Sequence, residues 1–361
     1  MGIKGEYFCS KPFEWLELSI NKNFYLCCPN WLPRNIPVQG RARDAWNSKT
    51  AQEIRESILE GSFKYCIGCP YLEEKTGPVL PLDSITDARL MDIVKNRRTA
   101  LDRGPLWLNL SHDPSCNLKC PSCRRGIINI KGERFLANKQ IQEAVLEDLK
   151  PDLEWLYISG SGDPFGSKLF HGLLMGLKAK DYPRLNLYLH SNGQLFDPGR
   201  WETIAGINSR VKWVHISIDA ATEATYLSNR GSSWKRLKKN LEFISGLRRT
   251  GPVETFEISM VVQQNNWREM PAFIDLGREF KVDRVLFTHL LNWGTFSKKE
   301  YMKRAVHMES HSEHRELTNF LKNEVPPSFP PTGITVRWGP FARYLAPGPL
   351  NNRDSECCRL K

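Results

Sequence analysis

The sequence predicts an α/β protein, an open (β/α)6 barrel preceded by a small cysteine-rich module. Three observations carry this. From Gly104 onward, strand-like runs alternate with helical stretches at roughly 25–35 residues per unit, as βαβ repeats do. Three cysteines follow the first of those runs at the spacing C-x3-C-x2-C. Five more, Cys9, Cys27, Cys28, Cys66 and Cys69, crowd residues 1–80.

In the module, Trp15 to Tyr25 reads as two short strands turning at N-K-N, because aromatic and aliphatic residues flank an Asn-rich turn. Pro29, Pro33 and Pro37 mark a loop. The spacing predicts a helix over Ser48–Glu60, with Ile54 and Ile58 on one face and Gly61 as a left-handed stop. Cys9, one of Cys27 and Cys28, Cys66 and Cys69 would supply four thiolates. That number fits either a closed zinc site or a fully ligated [4Fe–4S] cluster. Residues 81–103 are charged and read as a helical connector.

The barrel spans residues 104–295. Its first unit is the strand Leu106–Ser111, the cysteine loop, and a helix from Asn138 to Lys150. Ile141, Val145 and Leu149 stack at i, i+4 and i+8 there, and Pro151 ends the pattern. Later strands are expected at 154–159, 185–190, 211–218, 255–262 and 283–290. In barrels of this kind the chemistry gathers at the C-terminal ends of the strands. Those ends carry S-G-S-G-D-P at 159–164, H-S-N-G at 190–193, S-I-D-A at 217–220, and His289 with Asn292. Two glycines in the first let the backbone approach a ligand closely. Beyond, at 296–361, His307, His311 and His314 fall on one helical face, a strand I-T-V-R-W follows, and the tail holds Cys357 and Cys358.

The stretch Asp113–Arg125, D-P-S-C-N-L-K-C-P-S-C-R-R, puts Cys116, Cys120 and Cys123 on one loop. A structural zinc ion wants four protein ligands. A cubane of four irons held by three cysteines leaves one iron open for a ligand. This motif resembles the radical S-adenosylmethionine (SAM) superfamily, with Ser122 where many members carry an aromatic residue. The resemblance implies a partial barrel of TIM type. It also implies that SAM chelates the open iron and is cleaved to methionine and a 5′-deoxyadenosyl radical.

The same resemblance implies that Gly160, Ser161, Gly162 and Asp163 hold the SAM amino group. Ser217 and Asp219 would serve its ribose or carboxylate, and Arg230 would pair with the carboxylate, while Asn192 either bonds a ribose hydroxyl or caps the turn before Gly193. W-L-E-L-S-I-N-K-N-F-Y-L-C-C with Y-C-I-G-C resembles a SPASM or twitch module, here preceding the barrel. That implies a second [4Fe–4S] cluster, and a reductant such as flavodoxin or ferredoxin. A spare thiol, Cys357 or Cys358, would be a hydrogen-atom donor by likeness to radical SAM epimerases. The expected function is hydrogen abstraction from a sugar-like or other small polar substrate, in an oxidation or epimerisation. The alternatives are maturation of a ribosomal peptide, or a basic zinc protein that binds nucleic acid.

Composition bounds these readings. The 361 residues are 40% hydrophobic with mean hydropathy −0.45, which describes a globular protein with a sizeable core. No run of about 18 apolar residues predicts a membrane span. The N-terminus has no apolar signal region, and the expectation is a cytoplasmic enzyme. Ten cysteines in that compartment point to metal binding rather than disulfides. The net charge of +11 attracts anions but names no partner, because its basic residues are scattered.

Overall fold

The computed structural model describes residues 6–324 and 333–345. Cys357 and Cys358 lie outside the described residues. Twelve strands appear in chain order: β1 Tyr7–Cys9, β2 Trp15–Ser19, β3 Asn23–Tyr25, β4 Ile36–Pro37, β5 Val79–Pro81 and β6 Trp107–Ser111, then β7 Trp155–Ile158, β8 Asn186–Ser191, β9 Val211–Ser217, β10 Thr255–Val262, β11 Arg284–His289 and β12 Thr335–Arg337. Strands β1 and β5 form an antiparallel pair. The other ten make one sheet in the order β12-β11-β10-β9-β8-β7-β6-β2-β3-β4.

The six strands expected from the alternation are β6 to β11, and all pair in parallel in sequence order. Two further strands join them. β12 adds in parallel to β11, and β2 adds in parallel to β6, so the parallel run is eight strands long rather than six. The β2–β3 hairpin turns at the expected place, with Leu18 opposite Phe24, and the segment assigned to the module thus shares the sheet of the cysteine loop.

Alternation sorts each strand into two faces. Leu16, Leu108, Leu156, Leu187 and Val214 are fully buried in the main core, and the first four stand in register across β2, β6, β7 and β8. The alternate residues carry rings and polar groups. Trp107 stacks on Trp155 at 4.8 Å, Tyr157 on Tyr188 at 4.2 Å, and His190 on His215 at 3.9 Å. Side chains on neighbouring strands at matched register meet in this way.

The helices follow their local signals with two departures. Lys49–Leu59 is capped by Ser48, whose Oγ accepts the Ala51 N–H, and Gly61 stops it at φ +72°. The helix expected from Asn138 begins six residues earlier, spanning Gly132–Leu149, because Gly132 turns the chain at φ +59° where no side chain caps it. The expected single helix over 307–314 does not form. His307 and His311 sit in turns, and only His314 opens a helix, His314–Asn323. The ring of His311 donates to the Lys303 carbonyl and His314 to that of Val306, which holds the turns instead.

The N-terminal segment is fastened to the rest by charge. Arg41 and Arg43 grip Asp148 and Asp152 at the end of Gly132–Leu149. Arg55 is fully buried, lies 4.2 Å over the Trp46 ring, and donates to the carbonyls of Pro12 and Thr99. The connector holds one α-helix, Ala88–Lys95, after a single 3-10 turn at Leu82–Ser84.

Candidate functional site

The cysteine loop leaves the C-terminal end of β6 and is fixed at its root by Asp113. That carboxylate accepts from the Ser115 N–H and Oγ at one oxygen, and from Ser167 Oγ at 2.6 Å at the other. The loop closes where the Cys116 N–H donates to the Ile128 carbonyl. Cys116 and Cys120 are buried and Cys123 is exposed. Burial first, then the Asp163 charge, push the Cys116 thiol up to about 11.

Each thiol meets a donor from a different part of the chain. Asn192, just past β8, points its amide N–H at Cys116 Sγ at 3.6 Å. Arg230, at the end of the helix Glu223–Arg230, points Nη1 at Cys120 Sγ at 3.6 Å. Arg124 sets Nε and Nη2 at 3.4 and 3.3 Å from Cys123 Sγ. Two of the three donors are cationic, which suits thiolates, since charge-assisted contacts are the strong ones.

The turn after β7 is pressed against this loop. A side chain at Gly162 would meet the carbonyl oxygens of Asp113 and Ser115 at 2.4 and 2.7 Å, and one at Gly160 would meet Ser111. Glycine is required there by close approach. Ser161 Oγ donates to the Ser111 carbonyl, and its own carbonyl accepts from Arg124 Nη2 at 2.5 Å. Asp163 is buried and fully engaged. One oxygen accepts the N–H groups of Phe165 and Gly166, and the other accepts Ser191 Oγ and the Asn192 N–H. The structure therefore gives this carboxylate four internal donors where the resemblance gives it the SAM amino group.

Asp219 holds a left-handed conformation at φ +63°, accepts the Val261 N–H, and pairs with Arg230 at 2.9 Å. Burial opposes the Arg230 charge, but Asp219 and Cys120 overcome it and hold its pKa above the ordinary value. The Arg230 Nε has no partner among the described residues. Ser217 stands apart from the thiols, bonded to His190 Nε2 at 2.7 Å, while His190 Nδ1 meets the Tyr157 hydroxyl at 2.8 Å. Asn292 caps its own loop, accepting from Gly294 and Phe296. His289 packs its ring on His307 at 4.6 Å.

Cys116, Cys120, Cys123, Gly160, Ser161, Gly162, Asp163, Asn192, Asp219 and Arg230 thus converge, from five segments of the chain. Arg124 was not singled out by the sequence. Its signal is a basic residue directly after the third cysteine, flush with the Gly-rich turn.

The second group lies at β1, after β3, and beyond the helix Lys49–Leu59. Cys9, Cys27, Cys28, Cys66 and Cys69 are all half-buried. Burial holds Cys9 well above the ordinary thiol range, with the charges of Cys27, Cys66 and Cys69 adding to it. Burial likewise pushes Cys27 up to about 12 and Cys66 to about 11. Among the described residues, no three His, Cys, Asp or Glu side chains are placed to hold a metal ion. No helix among the described residues is long and apolar enough to cross a membrane.

Residues 110–277 match the family model described as the Radical SAM superfamily. No curated protein matches the chain. Among solved structures, it is similar to SuiB of Streptococcus suis bound to S-adenosylmethionine, at 16% identity and a TM-score of 0.43, covering 85% of this chain and 63% of that one. SuiB bound to precursor peptide SuiA gives 15% identity and a TM-score of 0.40, covering 75% and 58%. A further match is anSMEcpe with bound AdoMet, at 21% identity and a TM-score of 0.39, covering 52% of this chain and 51% of that one. The chain therefore spans less than two thirds of the length of these proteins.

Proposed function

We infer, for a chain that carries a radical SAM domain, that Cys116, Cys120 and Cys123 hold a [4Fe–4S] cluster at which SAM is cleaved to start hydrogen abstraction from a polar substrate. The family uses that cluster and SAM, and together they supply a 5′-deoxyadenosyl radical when bound. The observation that carries the reading is the donor set: three thiols on one loop, each faced by an N–H group, from distant Asn192 and Arg230 and from the neighbouring Arg124. A zinc reading needs a fourth ligand, and the neighbouring carboxylate of Asp163 is consumed by four donors.

The chain's own residues have divided work in this account. Asp163 and Asp113 lock the Gly-rich turn and the cysteine loop, and so fix the thiols. Gly160 and Gly162 let the turn pack directly on the cysteine loop, which brings its backbone to the side where the SAM amino group would bind. Arg230, held charged by Asp219, keeps Nε for the carboxylate. Asn192, beside Cys116, faces the rest of the cofactor, whereas Ser217 is held by His190. For the second group, we assign Cys9, Cys27, Cys66 and Cys69 to an auxiliary cluster. Cys9, Cys27 and Cys66 all pack against the main core, which favours Cys27 over Cys28.

The substrate reading stays at the level of chemistry. SuiB was solved with the precursor peptide SuiA, and anSMEcpe with a Kp18Cys peptide. Those peptides belong to those proteins, and for this chain a peptide stands at least level with a sugar-like molecule. Anaerobic incubation with reductant, SAM and either substrate class in deuterated form tests the two. Deuterium appearing in 5′-deoxyadenosine identifies the class, and iron-free, zinc-loaded protein would sink the whole reading.

A further inference from the structure

We propose that Arg124 sets the reduction potential of the cluster on Cys116, Cys120 and Cys123, by donating to the Cys123 sulfur while its charge stays unneutralised. The proposal rests on the reading that these three cysteines hold the cluster. Arg124 is only 9% exposed, and its guanidinium is held in one plane by two carbonyls. Nη1 donates to Pro114 and Nη2 to Ser161, each at 2.5 Å, which leaves Nε and Nη2 directed at Cys123 Sγ. That fork ties the cysteine loop to the Gly-rich turn, and a lysine has no planar fork with which to repeat it.

The potential of an iron–sulfur cluster follows its net charge, the hydrogen bonds to its sulfurs and its exposure. A reduced cluster is more negative by one charge, so a nearby cation stabilises it and raises the potential. Three donors face the three sulfurs, but they differ in charge. Asn192 is neutral. Arg230 is cationic, yet Asp219 lies 2.9 Å away and cancels much of its field. Arg124 bonds to neutral carbonyls and to sulfur, so its full charge acts at Cys123, the thiol most open to solvent. The expected order of influence is Arg124, then Arg230, then Asn192.

The test uses the full chain, reconstituted anaerobically with iron and sulfide, as parent, Arg124→Gln and Arg124→Lys. Iron and sulfide content are measured first, then the potential by redox titration followed by electron paramagnetic resonance without SAM. The signal of this cluster is recognised because it is absent from the Cys116→Ala/Cys120→Ala/Cys123→Ala variant. In Arg124→Gln the equilibrium for reduction should fall at least tenfold, which for one electron is a downward shift of about 59 mV. Arg124→Lys, with the charge but not the fork, should fall between the two. Full iron content with the parent potential in both variants would overturn the proposal. If Arg124→Gln takes up no iron, Arg124→Lys decides alone, and a potential at the parent value overturns it. A triple alanine variant with the same spectrum and iron content as the parent overturns the ligand reading itself, and the proposal with it.

Discussion

Replacing Asp163 by Asn separates an organising carboxylate from a cofactor ligand. In the parent, one Asp163 oxygen accepts the N–H groups of Phe165 and Gly166, and an Asn oxygen can keep both. The other accepts Ser191 Oγ and the Asn192 N–H, and an Asn amide would present hydrogens to two donors. The serine hydroxyl can rotate to accept, whereas the backbone N–H cannot. An orphaned buried N–H costs about 1–3 kcal/mol, and two bonds that turn from charge-assisted to neutral lose about 1 kcal/mol each. The sum is on the order of 3–5 kcal/mol of unfolding free energy. Urea unfolding of the metal-free protein reads it directly, beside SAM binding to the reconstituted protein. Asp163→Asn that unfolds like the parent while SAM affinity drops would refute the reasoning and return the carboxylate to the SAM amino group.

Three further outcomes are expected. Replacing Cys116, Cys120 and Cys123 together by Ala should remove about half the iron of a two-cluster protein, measured by metal analysis after reconstitution. Cys27→Ala should lose the auxiliary iron while Cys28→Ala keeps it, and equal losses would dissolve that assignment. Stability should fall with acid below pH 6.5. Burial lowers His215 to about 3 and His112 to about 4, so both are neutral when folded, whereas an unfolded chain protonates each near 6.5. Their contribution is fully present above 6.5 and is lost as pH drops toward those values, at up to about 1.4 kcal/mol per pH unit for each histidine. Denaturant titrations between pH 7 and 4.5 would show it, and a flat profile would contradict it.

Much of the fold was legible because its strands are written as local patterns. The apolar runs that became β6 to β11 announce themselves within six to eight residues, and the observed ends differ from the expected ones by a residue or so. What local pattern cannot carry is a distant partner. Trp15–Ser19 reads as half of a hairpin, and nothing in it says that Trp15 will stand beside Trp107 in a parallel pair. β12 is similar, three residues whose place is set by β11. The spacing of His307, His311 and His314 matched a helix, but bonds from the His311 and His314 rings to carbonyls of Lys303 and Val306 fold the stretch into turns.

At the site, the sequence pointed to the cysteine loop and the Gly-rich turn, but it put Ser217 there, which bonds to His190 instead, and it did not say how the residues bond. Cysteine spacing and the Gly-rich turn placed the loop and its neighbour correctly beside each other. The acceptor role of Asp163 toward its own backbone depends on the chain doubling back after β8, which no stretch of sequence displays. Arg124 was hidden for the same reason. Nothing in the residues beside Cys123 shows that the Ser161 and Pro114 carbonyls fix the Arg124 plane.

Cleavage of SAM at a cluster on the C-x3-C-x2-C loop is the step on which the proposed function rests. The direct measurement is 5′-deoxyadenosine formed on anaerobic incubation of the reconstituted protein with SAM and a strong reductant, beside the Cys116→Ala variant. The account predicts 5′-deoxyadenosine from the parent and none from the variant. No 5′-deoxyadenosine from iron-loaded parent protein, or the same amount from Cys116→Ala, would contradict it.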